Sequence, residues 1–426
     1  MNILVVGASI REFNWWNCIK KISTKNNFIF INCSSRSFSG CINLNEGHYK
    51  NPRYQVSVSE EFTIPLELLN FERQFYPNLS IDQLSKRILI HYNLFASFFD
   101  KNSIDIVYSE NGSYAFINAL FLACKYLNKP LVLLETADIF GTCFAYLNNK
   151  GPDLNFAVKN PSSTFEEPTN IDSLLFQTKD KNYDKRQISD PITQIYKIIL
   201  YFKRRLKSKF VNIDGSFYVG AKIKLEYYPK LLFAYIHKFK YKLFFNSKKK
   251  NIILPLHLEF DLHLLERTNY IDQIDFVANI IKENRDKQVL FKLHPHSLMK
   301  GITLKAHIRL LFMNCLMTSK KANELNPLLD EVHTLGSKYG LQAARNHIKT
   351  FIYGDTFFAS IKEKQTKENK YKVNLSATED LENFISSRRY RINLYNHIEN
   401  EIIISSRSIE NLSKEVFQIH NLSNTK

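Results

Sequence analysis

Two stretches of this chain alternate short apolar runs with segments of helical periodicity, and this alternation is the strongest constraint on its fold. The first stretch covers residues 1–150, and the second begins at Asn251. The runs are apolar throughout and not only at every second residue, which is typical of strands buried on both faces. The sequence therefore predicts an α/β protein with two doubly wound parallel sheets, each covered by helices on both sides.

The predicted elements follow the same alternation in both stretches. The first has strands at Asn2–Val6, Phe28–Asn32, Ile104–Tyr108 and Leu131–Leu134, with helices that begin at Trp15, Leu84 and Ala115. The second has strands at Ile252–Leu256, Val289–Leu293, Val332–Leu335 and Thr350–Tyr353, with helices over 271–284, 304–319, 339–346 and 374–388. We expect domains at 1–190 and 251–375, a basic aromatic-rich segment at 191–250, and C-terminal helices at 376–426.

The net charge of +17, from 58 Lys and Arg against 41 Asp and Glu, is concentrated in one segment. Residues 197–250 hold 15 basic and two acidic side chains among 13 Tyr and Phe, so the other residues together carry only +4. Diffuse basicity would favour nucleic acid, whereas one basic segment between nearly neutral domains favours anionic lipid headgroups or an acidic glycan. A solvated helix pair in the link is the alternative interpretation.

Composition and motifs exclude several classes of protein. Hydrophobic residues make up 44% and charged residues 23%, which is typical of a globular chain and not of a disordered one. The six cysteines form no CxxC pair, and no run reaches the about 18 apolar residues of a membrane-spanning helix. The apolar start lacks a basic region and is interpreted as a strand and not a signal peptide. We expect a reduced, cytoplasmic protein.

Polar residues at the strand ends of the second stretch are candidates for ligand binding, because open parallel sheets bind ligands beyond the carboxyl ends of their strands. Lys292 and His294 follow the run QVLF, and both side chains could donate to a phosphate. Pro295 would fix the turn that aims them. A histidine that simply caps the strand end is the alternative.

A second candidate lies between the next strand and its helix. The hydroxyls of Thr334 and Ser337, with the free N–H groups of a helix that opens at Tyr339-Gly340, could together bind an anion. The alternative is an N-cap serine beside a packing glycine. No GxGxxG and no GxxxxGK[ST] motif is present, so dinucleotide and Walker-type sites are weakly supported.

Histidines and carboxylates also follow the strand at 252–256. Polar and apolar residues alternate there, which would place His257, Glu259, Asp261 and His263 on one strand face. A metal site is conceivable, but consecutive ligands along one strand face span too far for one small ion. A loop lined with ligand-binding groups is therefore favoured, and no metal is predicted.

Carboxylates at strand ends of the first stretch are candidates for a general base. Glu110 follows the run IDIVY, and Glu135 and Asp138 follow LVLL. For each acid alone, an N-cap or a solvated loop residue is an equally good interpretation.

Taken in order, these motifs resemble the bacterial capsule polysaccharide biosynthesis proteins, glycosyltransferases of the GT-B class that include the capsule Kdo transferases (Kdo is 3-deoxy-manno-octulosonic acid). Pro255-Leu256 followed by Asp261 resembles the family's PLQ-x(3)-DSQ loop, with His257 and His263 where Gln is usual. The other matching runs are Lys292-x-His294-Pro295, Thr334-x-x-Ser337-x-x-Gly340-x-x-Ala343, Phe351–Phe358, and Leu134-Glu135 with Gly151–Asn155.

The resemblance implies two Rossmann-like domains that face a cleft, with a nucleotide-sugar donor, typically a CMP-sugar, on the C-terminal one. It implies that His294 and Ser337 contact the donor phosphate and that Lys292 supports this site. Gln342 stands at the position of the family's Glu, which contacts the nucleotide. The expected acceptor is a glycan or glycolipid at the cytoplasmic face of the membrane. No metal or cofactor is expected, because the leaving group carries a single phosphate.

The chain departs from the family where the second acid of its E-[DE]-G motif should stand. The corresponding residues are Glu135-Thr136-Ala137, so the usual base candidate is missing. Glu135, Asp138 or Glu110 could take its role, or activity could be lost. The predicted function is therefore a glycosyltransferase, with a catalytically silent relative and, less favoured, a nucleic-acid-binding protein as alternatives.

Overall fold

The computed structural model describes the chain in two compact units. The described residues are 1–7, 9–33, 38–44, 64–69, 73, 79–110, 112, 115–137, 141–149, 157–160, 227–257, 268, 270, 272–293, 303–320, 322–354, 356, 366–367, 370–371, 373–375 and 379–424. The first unit comprises Met1–Phe217 and Phe384–Lys426, and the second comprises Tyr218–Asn383. Each unit is built on a six-stranded sheet.

The first sheet has the strand order of a Rossmann fold. Its strands are β1 (Asn2–Gly7), β2 (Asn27–Asn32), β3 (Ile42–Asn43), β4 (Ile106–Glu110), β5 (Leu131–Thr136) and β6 (Cys143–Leu147). They lie in the order β3-β2-β1-β4-β5-β6, and only β6 runs antiparallel to its neighbour. The order reverses between β1 and β4, which is the topological switch point of this sheet.

The second sheet repeats this topology. Its strands are β7 (Asn251–Pro255), β8 (Gln288–Lys292), β9 (Cys315–Met317), β10 (Glu331–Thr334), β11 (Lys349–Ile352) and β14 (Val373–Leu375). The order is β9-β8-β7-β10-β11-β14, again with only the last strand antiparallel, and the switch point lies between β7 and β10. A separate hairpin pairs β12 (Thr366–Lys367) with β13 (Lys370–Tyr371). The prediction of two Rossmann-like parallel sheets is confirmed.

Helices connect the strands in both units. The described helices are α1 (Ile10–Ile22), α2 (Ile81–Lys101), α3 (Ala115–Tyr126), α4 (Tyr227–Phe244), α5 (Gln273–Glu283), α6 (Leu304–Phe312), α7 (Ala322–Leu325), α8 (Lys338–Arg345), α9 (Glu379–Ser386) and α10 (Glu399–Asn424), with 3₁₀ turns at Leu66–Leu69 and Asn326–Leu328. Several begin at N-caps that satisfy otherwise unpaired N–H groups. Ser80 and Gln83 form a reciprocal capping box at the start of α2.

The core of the first unit includes the C-terminal helix. Ile3 and Val5 of β1 share one apolar cluster with Ile409, Leu412 and Val416 of α10. The hydroxyls of Tyr108 on β4 and Ser413 on α10 also lie 2.8 Å apart in this core. Residues after about 384 therefore return to the first sheet, although the sequence predicted only that they are helical.

The second sheet is buried on both faces, as its apolar strands require. Ile252 and Leu254 of β7 belong to one apolar cluster, and Ile253 between them belongs to another. Each of these three side chains is fully buried, and each such burial contributes about 2 kcal/mol. Helices on both sides of the sheet provide the surfaces that cover them.

Two predicted helices are wrong in part, because strand pairing decides these segments. Residues 304–319 were predicted as one helix, but α6 ends at Phe312 and Cys315–Met317 pair with β8. Asn374 was predicted to begin a helix, but it lies in β14 and pairs with Phe351 of β11. The partner strands come from distant parts of the sequence, which local periodicity does not reveal. The predicted domain boundary at 190 lies outside the described residues.

Candidate functional site

The second sheet brings three of its predicted site segments to one edge. Lys292 ends β8, His257 lies two residues beyond β7, and Thr334 ends β10. These strands are parallel neighbours, with Pro255 opposite Lys292, so all three leave the sheet at its carboxyl edge. Because β7 and β10 flank the switch point, this is where an open α/β sheet binds its ligand.

The turn after β10 is held by the Thr334 hydroxyl. Thr334 Oγ1 accepts the backbone N–H groups of Gly336 at 3.1 Å and of Ser337 at 2.8 Å. Gly336 has a φ of +131°, and a Cβ there would collide with Thr356. Thr334 is fully buried. Its role in this geometry is to fix the turn.

Ser337 is the N-cap of α8. Its Oγ accepts the N–H of Tyr339 at 3.3 Å, and its carbonyl accepts the N–H of Gly340 at 2.8 Å. A Cβ at Gly340 would lie 2.7 Å from Thr334 Cγ2, so this glycine allows the helix to approach the strand. Ser337 is therefore an N-cap, as the alternative interpretation of the sequence expected. The N–H groups of four residues at this turn donate within it, but the half-buried Ser337 hydroxyl keeps a proton that it can donate to a ligand.

Lys292 is half-buried and is bonded to the segment after β9. Its Nζ donates to the Lys320 carbonyl at 2.6 Å. Burial lowers the pKa of the Lys292 ammonium, and the carboxylate of Glu324 opposes this shift. An ammonium has three donors, so this contact leaves two for an anion at the strand end.

The backbone of His257 is clamped by the first residue of α5. Gln273 Oε1 accepts the His257 N–H at 3.0 Å, and Gln273 Nε2 donates to the His257 carbonyl at 3.2 Å. His257 is buried. The predicted strand face is not formed at this point, because β7 ends at Pro255 and His257 lies beyond it.

Several predicted site residues lie outside the described part of the chain. They are Asp138, Glu259, Asp261, His263, His294 and Pro295. Gln342 is described on α8 and is half-buried. Its carbonyl accepts the side-chain amide of Asn346 at 2.8 Å. The proposed contact of its own amide with a nucleotide stays a prediction.

A buried polar network lies at the other end of β10, and the sequence did not indicate it. Glu331 bonds Lys287 at 2.9 Å and His333 at 3.2 Å, and His333 bonds the Tyr353 hydroxyl at 2.7 Å. Burial alone would raise the pKa of the Glu331 carboxyl, but hydrogen bonds from Lys287, His333 and Lys349 lower it to about 2. The alternation Glu-Val-His-Thr places Glu331 and His333 on one strand face, which is the only sequence signal for this pair.

The first sheet places Glu110 and Glu135 on opposite faces. Glu110 is the last residue of β4 and not the first residue after it, and it is in register with Leu134 of β5. Residues in register on parallel strands point to the same side, so Glu135 points to the other. The structure therefore does not bring these two candidate bases together.

Glu110 has partners that the sequence analysis missed. Burial raises the pKa of the Glu110 carboxyl, while a hydrogen bond from Tyr395 and the charge of Arg11 oppose the rise. Glu110 is nevertheless exposed to solvent, and this exposure weakens the effect of burial on its pKa. The Arg11 guanidinium lies 5.2 Å from the centre of the Tyr395 ring.

A second carboxylate, Glu12, lies near the same tyrosine. Loss of solvent raises the pKa of Tyr395, and the charges of Glu110 and Glu12 raise it further. Glu12 is buried, and a Cβ at Gly7 would collide with its carboxylate. Two carboxylates, Glu12 and Glu110, and the Arg11 cation therefore lie around Tyr395. The pattern Ser9-x-x-Glu12, a capping-box spacing, was the available sequence signal.

Three features are absent from the described residues. Within them, no group of three or more His, Cys, Asp or Glu side chains is arranged to hold a metal ion. In the same part of the chain, no helix is both long and apolar enough to cross a membrane. None of the six cysteines forms a disulfide bond.

Fold and strand ends together define a protein of two Rossmann-like units. No family model matches the sequence, and no curated protein matches it significantly. Solved structures match as follows. KpsC β-Kdo 2,4-transferase of Thermosulfurimonas dismutans is 9% identical over 97% of both chains, with a TM-score of 0.41.

Two further structures show similar values. The KpsC β-Kdo 2,7-transferase of the same organism is 13% identical over 82% of this chain and 97% of its own, with a TM-score of 0.35. UDP-GlcNAc 2-epimerase from Neisseria meningitidis, bound to UDP-GlcNAc, is 13% identical over 97% of this chain and 100% of its own, with a TM-score of 0.30. TM-scores this low do not indicate an activity for this chain. The fold is assigned from the strand orders of the two sheets.

Proposed function

We propose that this chain is a metal-independent glycosyltransferase that transfers a sugar from a nucleotide-sugar, CMP-linked and Kdo-like, to a glycan or glycolipid of a cell-surface polysaccharide. The observation that carries the proposal is the position of the Ser337 turn and of Lys292 at the switch-point edge of the second sheet. The motifs at 255–261, 292–295 and 334–343 resemble those of the capsule glycosyltransferases, and this resemblance is the reason for proposing a nucleotide-sugar as the donor. The proposed location is the cytoplasmic face of the membrane.

In the proposed reaction, an acceptor hydroxyl attacks the anomeric carbon of the donor. The bond from that carbon to the phosphate oxygen breaks, and CMP leaves with the bonding electron pair. Ser337 and Lys292, with His294, donate to the phosphate and stabilise the charge that develops on it. A carboxylate accepts the proton of the attacking hydroxyl. Thr334 does not touch the donor but holds the Ser337 turn.

Glu110 is the carboxylate that we favour as the base. It ends a switch-point strand, and the raised pKa of its carboxyl makes it a stronger proton acceptor than an ordinary glutamate. Glu135 lies on the other face of the same sheet. A Glu110→Gln variant should lose about 10²- to 10⁴-fold in kcat, with Glu135→Gln as the matched control.

The decisive experiment is a panel of CMP-, UDP- and GDP-linked sugars, with binding measured by calorimetry and transfer to a lipid-linked glycan measured by mass spectrometry. The proposal expects one CMP-sugar to bind and to be transferred, and expects binding to weaken in Lys292→Met and Ser337→Ala. No binding of any nucleotide-sugar, or binding that neither substitution changes, would refute it.

A catalytically silent relative is the second candidate. It is favoured by the missing second acid at Thr136-Ala137 and by the separation of Glu110 and Glu135 on opposite sheet faces. Tight donor binding without transfer to any glycan, and without hydrolysis of the donor, would select this candidate over the transferase.

A further inference from the structure

Helix α4 buries two polar side chains and exposes a stripe of apolar ones, which is unusual for a helix at the surface of a protein. Lys230 and His237 on the inner side are fully buried. The outer side exposes Leu232, Tyr235, Ile236, Phe239 and Leu243, of which Leu232, Tyr235 and Phe239 are 60%, 63% and 63% accessible. These five positions follow the spacing i, i+3, i+4, i+7 and i+11, and form a stripe about 100° wide.

The inner side is held in place by polar contacts. Lys240 Nζ donates to the carbonyls of Leu311 and Met313 at 2.9 and 2.7 Å, at the C-terminal end of α6. A cation is favourable there, because the helix dipole is negative at this end. His237 contacts the carbonyl of His307 at 3.2 Å and packs edge-on against Phe291 of β8. The orientation of α4 is therefore set by these contacts, and its apolar stripe is left outside.

The exposed stripe is comparable to the largest apolar patch of a typical monomeric protein, and such patches are often functional. Five partly exposed aliphatic and aromatic side chains present on the order of 500 Å² of apolar area, which is the size of the patches that mark interaction sites. Water-exposed apolar area of this size is unfavourable, whereas lipid or another apolar surface would accept it.

Lysines border the stripe and continue beyond the helix. Lys238 and Lys242 are exposed on α4, and Lys248–Lys250 are exposed just after it. Residues 227–250 contain seven lysines and no acidic residue. An apolar stripe with a basic border is the pattern of a helix that lies in the headgroup region of an anionic bilayer. If two copies of the protein associated through this face, their lysines would be brought together, and like charges repel each other.

We infer that the outer face of α4, formed by Leu232, Tyr235, Ile236, Phe239 and Leu243 with Lys238 and Lys242, docks the protein on a membrane that contains anionic phospholipid. The apolar side chains enter the interface, and the lysines contact the headgroups. The inference rests on the proposed function for its purpose, which is to bring the transferase to a lipid-linked acceptor. The outer face of α4 is then the part of the basic segment that contacts the membrane.

Vesicle sedimentation tests the inference on the full chain without nucleotide. Wild-type protein should bind vesicles of phosphatidylglycerol and phosphatidylcholine, and should bind vesicles of phosphatidylcholine alone much more weakly. Tyr235→Ser and Phe239→Ser should each weaken binding roughly tenfold. The matched control is Tyr126→Ser, a 56% exposed tyrosine of the first unit, which should change nothing.

The contribution of the lysine charges and the insertion of the apolar side chains into the bilayer are measured separately. Lys238→Gln and Lys242→Gln should each weaken binding about fivefold at low salt, whereas Lys25→Gln and Lys101→Gln in the first unit should not. Phe239→Trp should shift its fluorescence to shorter wavelength on addition of vesicles, and Tyr126→Trp should not. Circular dichroism of each variant verifies that it is folded.

Unchanged vesicle binding by the Tyr235→Ser/Phe239→Ser double variant would overturn the inference, as would equal binding to vesicles with and without phosphatidylglycerol. A dimer that these substitutions dissociate, without vesicle binding by the wild type, would assign the face to a second copy. Binding to single-stranded DNA that outcompetes vesicles would assign it to nucleic acid. Calorimetry with CMP-sugars is independent of these assays, so the docking face and the proposed function can fail separately.

Discussion

Thr334 Oγ1 accepts the backbone N–H of Ser337 at 2.8 Å, and this bond connects the end of a switch-point strand to the first turn of a helix. Thr334 is fully buried, whereas Ser337 is half-buried. The two hydroxyls therefore have different roles in the proposed site. Thr334 holds the turn, and Ser337 is available to a ligand.

Substitution of Ser337 should affect both stability and donor binding. Ser337→Ala removes an N-cap and should lower the free energy of unfolding by about 1 kcal/mol. It should also weaken donor binding about tenfold, because one phosphate donor is lost. Ser80→Ala, which removes the N-cap of α2 in the first unit, should cost similar stability with no loss of binding. Equal binding by both variants would remove Ser337 from the site.

Gly336 should tolerate no side chain. Its φ of +131° is unfavourable for other residues, and a Cβ would collide with Thr356. Gly336→Ala should lower the free energy of unfolding by roughly 3 kcal/mol. Gly40 is the control, because its φ is also positive, at +77°, but nothing lies within 4 Å of an added Cβ. Gly40→Ala should cost about 1 kcal/mol in chemical denaturation.

The Glu331 network predicts a specific pH dependence. The pKa of Glu331 is lowered from 4.5 to about 2, so its ionised form stabilises the fold above pH 4.5 and this contribution is lost as pH falls towards 2. Glu331→Gln should lower the free energy of unfolding by about 2 kcal/mol at neutral pH. This difference should disappear near pH 2.

The control for Glu331 is an exposed ion pair in the same unit. Asp275 pairs with Arg309 at 2.7 Å, but its side chain is 61% exposed. Asp275→Asn should therefore cost less than about 1 kcal/mol. A pH-independent cost of Glu331→Gln, measured by urea denaturation across this range, would contradict the assigned ion pairs.

Buried histidines should make the second unit sensitive to acid. Burial lowers the pKa of His307 to about 3 and of His237 to about 4, with Lys230, Lys240 and the histidines themselves as the nearby cationic groups. Both histidines bind protons more readily when unfolded, so the free energy of unfolding should fall as pH drops below 6.5. Within the described residues, neither ring nitrogen of His307 has a hydrogen-bond partner.

His307→Leu should therefore be neutral or stabilising at neutral pH, because it replaces a buried polar ring by an apolar group. Between about pH 6 and about pH 4 it should retain about 2 kcal/mol that the wild type loses. The exposed His347 has a φ of 59°, so His347→Asn is a compatible control that should leave the acid sensitivity unchanged. If the free energies of unfolding of His307→Leu and wild type fell equally as the pH is lowered, His307 would not be a source of the acid sensitivity.

The sequence by itself determined the α/β class, because continuous apolar runs such as 2–6 and 252–256, alternating with helical segments, are typical of strands covered on both sides. It also indicated Ser337 as an N-cap, since a cap acts over two or three residues and leaves a local signature. Only the tertiary structure decided which strands pair. The short strands β9 and β14 exist because a strand on the far side of an intervening element binds them, and periodicity contains no such information.

The functional details depend on the same non-local contacts. The register of β4 on β5 separates Glu110 from Glu135, although both stand at strand ends in the sequence. Packing against α6 turned His237 and Lys240 of α4 inward and left its apolar stripe outward, the reverse of what a helical pattern alone predicts. Sequence patterns encode which residues prefer burial, but the partner that covers them, and the face it leaves open, are decided by the assembled fold.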